Sequence, residues 1–271
     1  MSMSMTDTST AARPAREGVL SATHLGIRFG GHQALDSVTV EFQPGTFTAI
    51  VGPNGAGKTT FFNLLSGQLK ASSGHVVFAG KDLTKVGPAV RTAAGIGRGF
   101  QLTNLFPRLS VRENVRLALR SRKAGGFDML SLWQRDIEAI EAADTFLGRL
   151  GLLQHAERAA STLSHGGKRR LELAILLALE PQVLMLDEPT AGMSADEVPA
   201  ILDLLVELKE EHRRTVLLVE HKLNVIYRLA DRILVLHNGR LIADGTPVEV
   251  MASPVVRDAY LGRNSADQAP H

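Results

Sequence analysis

The hydrophobic positions at the start of the chain come in short runs separated by turn residues. Between residues 19 and 51, apolar segments alternate with Gly, Asn and Pro, as in GIRFGGHQALDSVTVEFQPGTFTAIVG, which is typical of strands and turns. The next segment, FFNLLSGQL, has apolar residues at helical spacing, and HVVFAG returns to the strand pattern. The order strand, loop, helix, strand predicts an α/β unit.

The middle of the chain changes to a helical pattern. Residues 104–160 include RENVRLALRSR and QRDIEAIEAADTFLGRLGLL, and from residue 183 strands and helices alternate again. Near the end, Asn238 and Gly239 separate two apolar runs and predict a hairpin turn, because both residue types tolerate positive φ. The whole pattern predicts one α/β domain that carries a small helical subdomain.

The segment LSHGGKRRLELA, residues 163–174, has the pattern of a helix start. Ser164 stands where an N-cap residue would, and apolar residues follow it at helical spacing. The bare amides at such a helix end attract anions. The lysine that usually accompanies a phosphate cradle is far away, at Lys58, so this segment predicts a second anion site without its own cation.

Composition and charge narrow the function classes. The chain has 271 residues, 44% hydrophobic and 21% charged, with no apolar run long enough for a membrane span. Its formal net charge of +2 is too small to indicate nucleic acid as a partner. The absence of cysteine excludes disulfides and cysteine-ligated metal. Residues 1–18 lack the apolar core of a secretory signal and are expected to be a disordered lead-in, and 263–271 a flexible tail.

The segment GPNGAGKT, residues 52–59, matches the phosphate-loop pattern G-x-x-x-x-G-K-[ST]. An apolar strand precedes it and a helix follows, as the motif requires, whereas a chance glycine turn would need neither. Its glycines let backbone amides face phosphates, Lys58 reaches the β- and γ-phosphates, and Thr59 can bind Mg²⁺ through its hydroxyl. The predicted nucleotide contacts are Gly52, Pro53, Asn54, Gly55, Ala56, Gly57, Lys58, Thr59 and Thr60.

The segment VLMLDEP delivers two adjacent carboxylates at the end of an apolar strand. Open α/β sheets bind ligands at this end of their strands. We expect Asp187 to hold Mg²⁺, through water, and Glu188 to polarise the water that attacks the γ-phosphate. The competing interpretation is a pair of acids that caps the next helix, which is common where no phosphate loop accompanies them.

Three further residues are weaker candidates when each is taken alone. His221 ends the strand TVLLVE, and Gln101 ends a short strand at the border of the helical segment. Phe29, in RFGG, is either a core residue or a face for a purine ring. The glycines of GIGRG, which precede Gln101, are expected to form a loop, because no helical pattern opens directly after them.

Taken in order, GPNGAGKT, Gln101, LSHGG, VLMLDEP and His221 resemble the ATP-binding subunits of ABC transporters. The resemblance covers residues 19–262 and implies a P-loop NTPase cassette of α/β class. Such a cassette has a RecA-like core, an N-terminal antiparallel β subdomain and an inserted helical subdomain, here at about 102–165. It also implies that two ATPs are sandwiched in a head-to-tail dimer.

The resemblance assigns roles residue by residue. LSHGG stands at the signature motif, usually Leu-Ser-Gly-Gly-Gln, so Ser164, Gly166 and Gly167 would meet the γ-phosphate of ATP held by a facing subunit. Phe29 corresponds to the aromatic residue that stacks on adenine, Gln101 to the glutamine that senses Mg²⁺ and water, and His221 to the histidine that contacts the γ-phosphate.

Three positions depart from the family pattern. His165 replaces the first signature glycine and Gly167 the signature glutamine. After the paired acids the family usually has Ser-Ala-Leu-Asp, whereas this chain has AGMS, so Ser194 replaces the aspartate that helps to couple the two sites.

Within the family, RFGG, EPTAGMS, VEHKL, NGRLIADGTP and VVRDAYLG look most like the ATPases of branched-chain amino acid importers. SHGGK is also similar to the urea and short-amide importers. The implied cofactors are ATP and Mg²⁺. The implied partners are membrane permeases, a second ATPase subunit, identical or different, and indirectly a periplasmic or extracellular binding protein, with the chain at the cytoplasmic face of the inner membrane.

Two other classes fit less well. A soluble ABC ATPase acting on nucleic acid or ribosomes would usually carry two cassettes or a long coiled coil, and this chain has one phosphate loop and no heptads. A P-loop GTPase would carry Asn-Lys-x-Asp, and no Asn is followed by Lys here. We therefore expect no nucleic-acid partner.

Overall fold

The computed structural model describes residues 19–99, 105–122 and 129–261. Two β-sheets and a group of helices are built from elements that interleave along these residues. The strands and helices, in chain order, are β1 Leu20–Phe29, β2 His32–Phe42, β3 Phe47–Val51, α1 Lys58–Ser66, β4 Ser73–Phe78, β5 Lys81–Asp82, α2 Pro88–Ala93, β6 Ile96–Gly99, α3 Val111–Arg122, α4 Met129–Arg149, α5 His165–Ala178, β7 Val183–Asp187, α6 Val198–Glu210, β8 Thr215–Val219, α7 Leu223–Leu229, β9 Arg232–His237, β10 Arg240–Gly245, α8 Pro247–Ala252 and α9 Pro254–Leu261.

The central sheet has six strands in the order β10-β9-β3-β8-β7-β6. Strands β9, β3, β8, β7 and β6 pair in parallel, and β10 pairs antiparallel with β9. Every residue of β3 and β8 is buried, which explains why both strands are nearly continuous apolar runs, each with one threonine, instead of alternating. Parallel strands end at the same edge, so the loops after β3, β7 and β8 are brought together there.

The second sheet is antiparallel, in the order β2-β1-β4-β5. Its inner face packs on α1 and on one face of the central sheet, with Phe42 and Phe61 in tilted ring contact 6.4 Å apart. Helix α1 is therefore enclosed by both sheets, and the loop that precedes it has a rigid base.

Helices α3, α4 and α5 form a third group, joined by one apolar cluster that includes Val115, Leu147 and Leu171. The same cluster reaches the other face of the central sheet through Leu184 and Leu218. In the described ranges, no helix combines the length and apolar character needed to cross a bilayer.

Most of the predicted elements are confirmed, and one is wrong. The hairpin turn lies at Asn238 and Gly239, which both have positive φ, between β9 and β10. The GIGRG segment was expected to be a loop, but Ile96–Gly99 forms strand β6. Gly97 and Gly99 are needed for close packing instead of a turn, because a Cβ at either position would come within 2.8 Å of Leu176. Gln101 lies outside the described residues.

Candidate functional site

The phosphate loop runs from the end of β3 to the start of α1. Gly52, Gly55 and Gly57 all have positive φ, a conformation that glycine adopts without steric cost. At Gly52 a Cβ would lie only 2.1 Å from the carbonyl oxygen of Leu236, so the loop also needs glycine there to pass close to β9. Gly57 is the N-cap of α1 without a side-chain cap, which leaves the first amides of the helix available to an anion.

Lys58 is held against its own loop. Its side chain is buried, with 7% of the residue exposed, and Nζ donates hydrogen bonds to the carbonyl oxygens of Gly52 at 2.8 Å and Pro53 at 3.0 Å. Burial lowers the pKa of the ammonium, and the negative charges of Glu188 and Asp187 act against this by favouring the charged form. The ammonium therefore lies between the loop and the two acids that follow β7.

Asp187 ends β7 and forms an ion pair with Arg98 of β6, with Nη2 3.4 Å from Oδ2. Burial raises the pKa of this carboxyl, while the charge of Arg98 acts in the opposite direction. The side chain of Arg98 is itself buried, with 6% exposed, and its Nη1 donates to Asn63 at 2.7 Å and Ser66 at 2.8 Å on α1. Sequence reasoning missed this arginine, which connects β6, α1 and the carboxylate of β7.

Glu188 and His221 come from neighbouring strands and meet in the site. Oε1 of Glu188 lies 3.0 Å from Nε2 of His221, and both side chains are 44% exposed. Glu188 has a φ of 48°, a left-handed conformation that is uncommon for a residue other than glycine. The backbone turns sharply immediately after β7, and this turn directs the carboxylate toward the loop after β8.

A buried carboxylate behind these two residues was also missed by the sequence analysis. Glu220, with 3% exposed, accepts a hydrogen bond from Oγ1 of Thr190 at 2.8 Å. Its other oxygen accepts from the backbone N–H groups of His221 at 2.7 Å and Lys222 at 3.2 Å. Glu220 thus ties the turn after Glu188 to the turn that carries His221. The only sequence signal was an acid at the end of the apolar strand TVLLVE.

Most of the predicted nucleotide contacts line one open cleft of about 390 Å³. Phe29 stands at its rim, 48% exposed, at the end of β1. An exposed aromatic face beside a phosphate loop supports the purine-stacking interpretation over the core interpretation. The lining residues are Phe29, His32, Ala34, Asn54, Gly55, Ala56, Gly57, Lys58, Thr59, Thr60, Glu188 and His221.

The predicted signature residues lie at the start of α5, and they are not among the residues that line this cleft. Ser164 is the N-cap of α5, as predicted, and its Oγ accepts a hydrogen bond from the N–H of Gly167 at 3.0 Å. Gly166 and Gly167 are buried in the first turn. The described residues thus contain the predicted phosphate-contact residues in two separate groups, one around Lys58 and one around Ser164.

Comparisons with known proteins agree with this geometry. The sequence model of the family described as "ABC transporter" matches residues 35–191, and that described as "Branched-chain amino acid ATP-binding cassette transporter" matches 240–266. The high-affinity branched-chain amino acid transport ATP-binding protein LivG of Escherichia coli (strain K12) is 39% identical over 90% of this chain and 98% of its own. BraF of Pseudomonas aeruginosa, with a similar description, is 35% identical over the same shares.

Solved structures with the same fold include the ADP conformation of MJ1267, an ATP-binding cassette of an ABC transporter. It superposes with a TM-score of 0.75 at 32% identity, over 91% of this chain and 100% of that one. The dimeric structure of MJ0796, a bacterial ABC transporter cassette, has a TM-score of 0.72 at 27% identity, over 84% and 98% of the two chains. These matches confirm the predicted fold class, and the chain belongs to the ATP-binding cassette family of ABC transporter ATPases.

Proposed function

We propose that this chain is the ATP-hydrolysing subunit of an ABC importer that takes up branched-chain or other hydrophobic amino acids. The observation that carries the cargo assignment is the match of residues 240–266 to the model of branched-chain amino acid cassettes. The identity to LivG, which extends over 98% of that protein, supports the same assignment. Cargo would be selected by permeases and a binding protein, and this chain would supply the energy.

ATP would lie in the cleft with its phosphates on the phosphate loop. The backbone N–H groups of residues 54–60, which include the start of α1, would provide donors for phosphate oxygens, and Phe29 would provide the stacking face for adenine. Lys58 would exchange its two carbonyl partners for the β- and γ-phosphates. A charged acceptor binds an ammonium more strongly than a neutral carbonyl does, so this exchange is favourable.

The residues present fit a magnesium ion that is shared between protein and phosphates. The described residues contain no group of three or more His, Asp or Glu side chains that could form a metal cage of their own. Mg²⁺ typically takes one or two protein oxygens and completes its shell with water and phosphate oxygens. We assign Thr59 and Asp187 to it, with Gln101 as a further contact, and the bound ion would offset the negative charge of the phosphates.

Glu188 would act as the general base. Its carboxylate accepts a proton from the water that attacks the γ-phosphate, and the bond between the γ-phosphorus and the bridging oxygen breaks to leave ADP and phosphate. Nε2 of His221 lies 3.0 Å from Oε1 of Glu188 and would turn to donate its proton to a γ-phosphate oxygen when ATP is bound. Glu220 fixes the backbone of His221 and so supports both residues.

A second cassette would complete the site. Ser164, Gly166 and Gly167 form a donor group apart from the Lys58 cleft, and we assign them to the γ-phosphate bound by the facing subunit. We take residues 19–262 as one ABC domain with a helical subdomain at about 102–165, between a lead-in of residues 1–18 and a tail of 263–271. Docked on permeases, it would lie at the cytoplasmic face of the inner membrane.

The first experiment tests the ATPase roles with Glu188→Gln. We expect ATP turnover to fall roughly 10²-fold to 10⁴-fold because the base is lost, while nucleotide binding persists. Asp196→Asn, which neutralises an exposed carboxylate in the segment between β7 and α6, is the matched control and should hydrolyse at the parental rate. If Glu188→Gln hydrolysed ATP at the parental rate, the assignment of Glu188 as general base would be wrong.

The second experiment tests pairing and cargo. With Mg²⁺ and ATP, the Glu188→Gln chain should sediment as a two-cassette complex, with itself or with a second cassette encoded beside it. Deletion of the gene should abolish uptake of radiolabelled leucine, isoleucine and valine, and restoration of the gene should recover it. If the deletion strain lost uptake of urea or short amides but took up leucine normally, the cargo assignment would be wrong and the ATPase assignment would stand.

A further inference from the structure

The carboxylate of Glu197 joins two segments that the sequence analysis treated separately. Its Oε1 accepts a hydrogen bond from Oγ of Ser164 at 2.9 Å, at the start of α5. Its Oε2 accepts from Oγ of Ser194 at 3.1 Å and from the N–H of Ser194 at 3.3 Å. We call these three residues the serine bridge. It ties the signature segment to the turn that follows the paired acids.

The same carboxylate covers the signature glycine. A Cβ built on Gly166 would lie 2.1 Å from Oε2 of Glu197, so the acid lies directly against the Cα face of this residue. Oγ of Ser164 already accepts a hydrogen bond from the N–H of Gly167, and its hydroxyl donates its single hydrogen bond to Glu197. The hydrogen bonds from Ser164 and Ser194 hold the pKa of Glu197 below its usual value, so the group is an anion at neutral pH.

A carboxylate and a phosphate compete for the same donors. An arriving γ-phosphate needs the proton of Ser164 and the open face of Gly166, and both are engaged by Glu197. Two anions at this separation repel each other, so they cannot share the donors. We propose that Glu197 is an internal competitor for the γ-phosphate at the signature segment, and that its displacement by a facing ATP releases Ser194. This inference rests on the proposed pairing of two cassettes.

The bridge gives a reason for one departure from the family pattern. An aspartate at position 194 would place a second carboxylate beside Glu197, and its side chain would have no proton to donate. Ser194 instead donates hydrogen bonds to Glu197 from both its hydroxyl and its N–H. Ser194 lies between Glu188 and helix α6, which has Glu197 as its N-cap residue. Displacement of Glu197 would therefore free the turn that leads directly from the general base.

The test measures ATP-driven pairing in the Glu188→Gln background, with the partner identified by the sedimentation experiment above. Adding Glu197→Gln keeps the size of the side chain and removes its charge. We expect the ATP concentration for half-maximal pairing to fall by about threefold to tenfold, because the phosphate no longer displaces an anion. Asp196→Asn makes the same charge change one residue away and should leave that concentration unchanged.

A second variant keeps the test independent of folding. Ser194 is exposed, and Ser194→Ala weakens the bridge without changing a buried group, so a smaller shift in the same direction is expected. An unchanged or raised ATP concentration in Glu197→Gln and Ser194→Ala, or an equal fall in Asp196→Asn, would overturn the inference. Absence of ATP-driven pairing in the Glu188→Gln parent would instead refute the proposed function itself.

Discussion

Thr190 offers a direct test of the buried carboxylate behind the site. Its hydroxyl donates to Oε1 of Glu220 at 2.8 Å, and the two residues are 1% and 3% exposed. Thr190→Val keeps the shape of the side chain but removes this donor. Loss of a charge-assisted hydrogen bond to a buried carboxylate oxygen destabilises a protein by about 1.5–3 kcal/mol. We therefore expect the free energy of unfolding of Thr190→Val to be lower by that amount.

The measurement is urea unfolding of three proteins: the parent, Thr190→Val and Thr190→Ser. Thr190→Ser keeps the hydroxyl and loses a methyl group, so its cost should be about 1 kcal/mol from lost burial alone. Nζ of Lys222 lies 3.2 Å from the same hydroxyl and can turn to Glu220 in Thr190→Val. The comparison is therefore repeated in a Lys222→Met background, where the loss should reach the upper end of the range. Equal stabilities of the Val and Ser variants in both backgrounds would refute the reasoning.

Three further changes test other parts of the chain. Arg91→Met removes a buried guanidinium that donates to carbonyl groups of the last turn of α1, and should lower the urea-unfolding free energy by about 2 kcal/mol or more. Gly52→Ala places a Cβ 2.1 Å from a carbonyl oxygen of β9 and should abolish binding of a fluorescent ATP analogue. Hydrogen bonds from Thr84 lower the pKa of Asp82 to about 2 from 3.8, so its stabilising effect is present above pH 3.8 and lost as pH falls toward 2; Asp82→Asn should flatten the stability curve in that window.

The local parts of the site could be predicted from the sequence. The phosphate-loop motif is contiguous: residues 52–57 connect a buried strand to a helix, residues 58 and 59 begin that helix, and the loop backbone follows from its own glycines. The N-cap of α5 was predicted for the same reason, because Ser164 caps an amide only three residues away. Short-range patterns of this kind need no knowledge of how the sheets pack.

The residues that the sequence analysis missed act over long separations. Arg98 meets Asp187 across 89 positions, Glu197 meets Ser164 across 33, and Glu220 meets Thr190 across 30. Acids and arginines are usually found on the surface, so their types do not indicate burial. Their positions depend on the order of the central sheet, in which β6, β7 and β8 are neighbours although long segments separate them in sequence.

Three of the predicted side chains already have a protein partner, which no sequence motif reveals. Lys58 donates to two carbonyls of its loop, Glu188 contacts His221, and Ser164 donates to Glu197. A bound phosphate would have to replace the carbonyls at Lys58, Glu188 at His221 and Glu197 at Ser164. Each exchange gives only the difference between two interactions. The difference is largest for Lys58, whose present acceptors are neutral, and smallest for Ser164, whose acceptor is already an anion. Mononucleotide binding should therefore depend mainly on the loop, whereas pairing of cassettes should depend on how easily Glu197 is displaced.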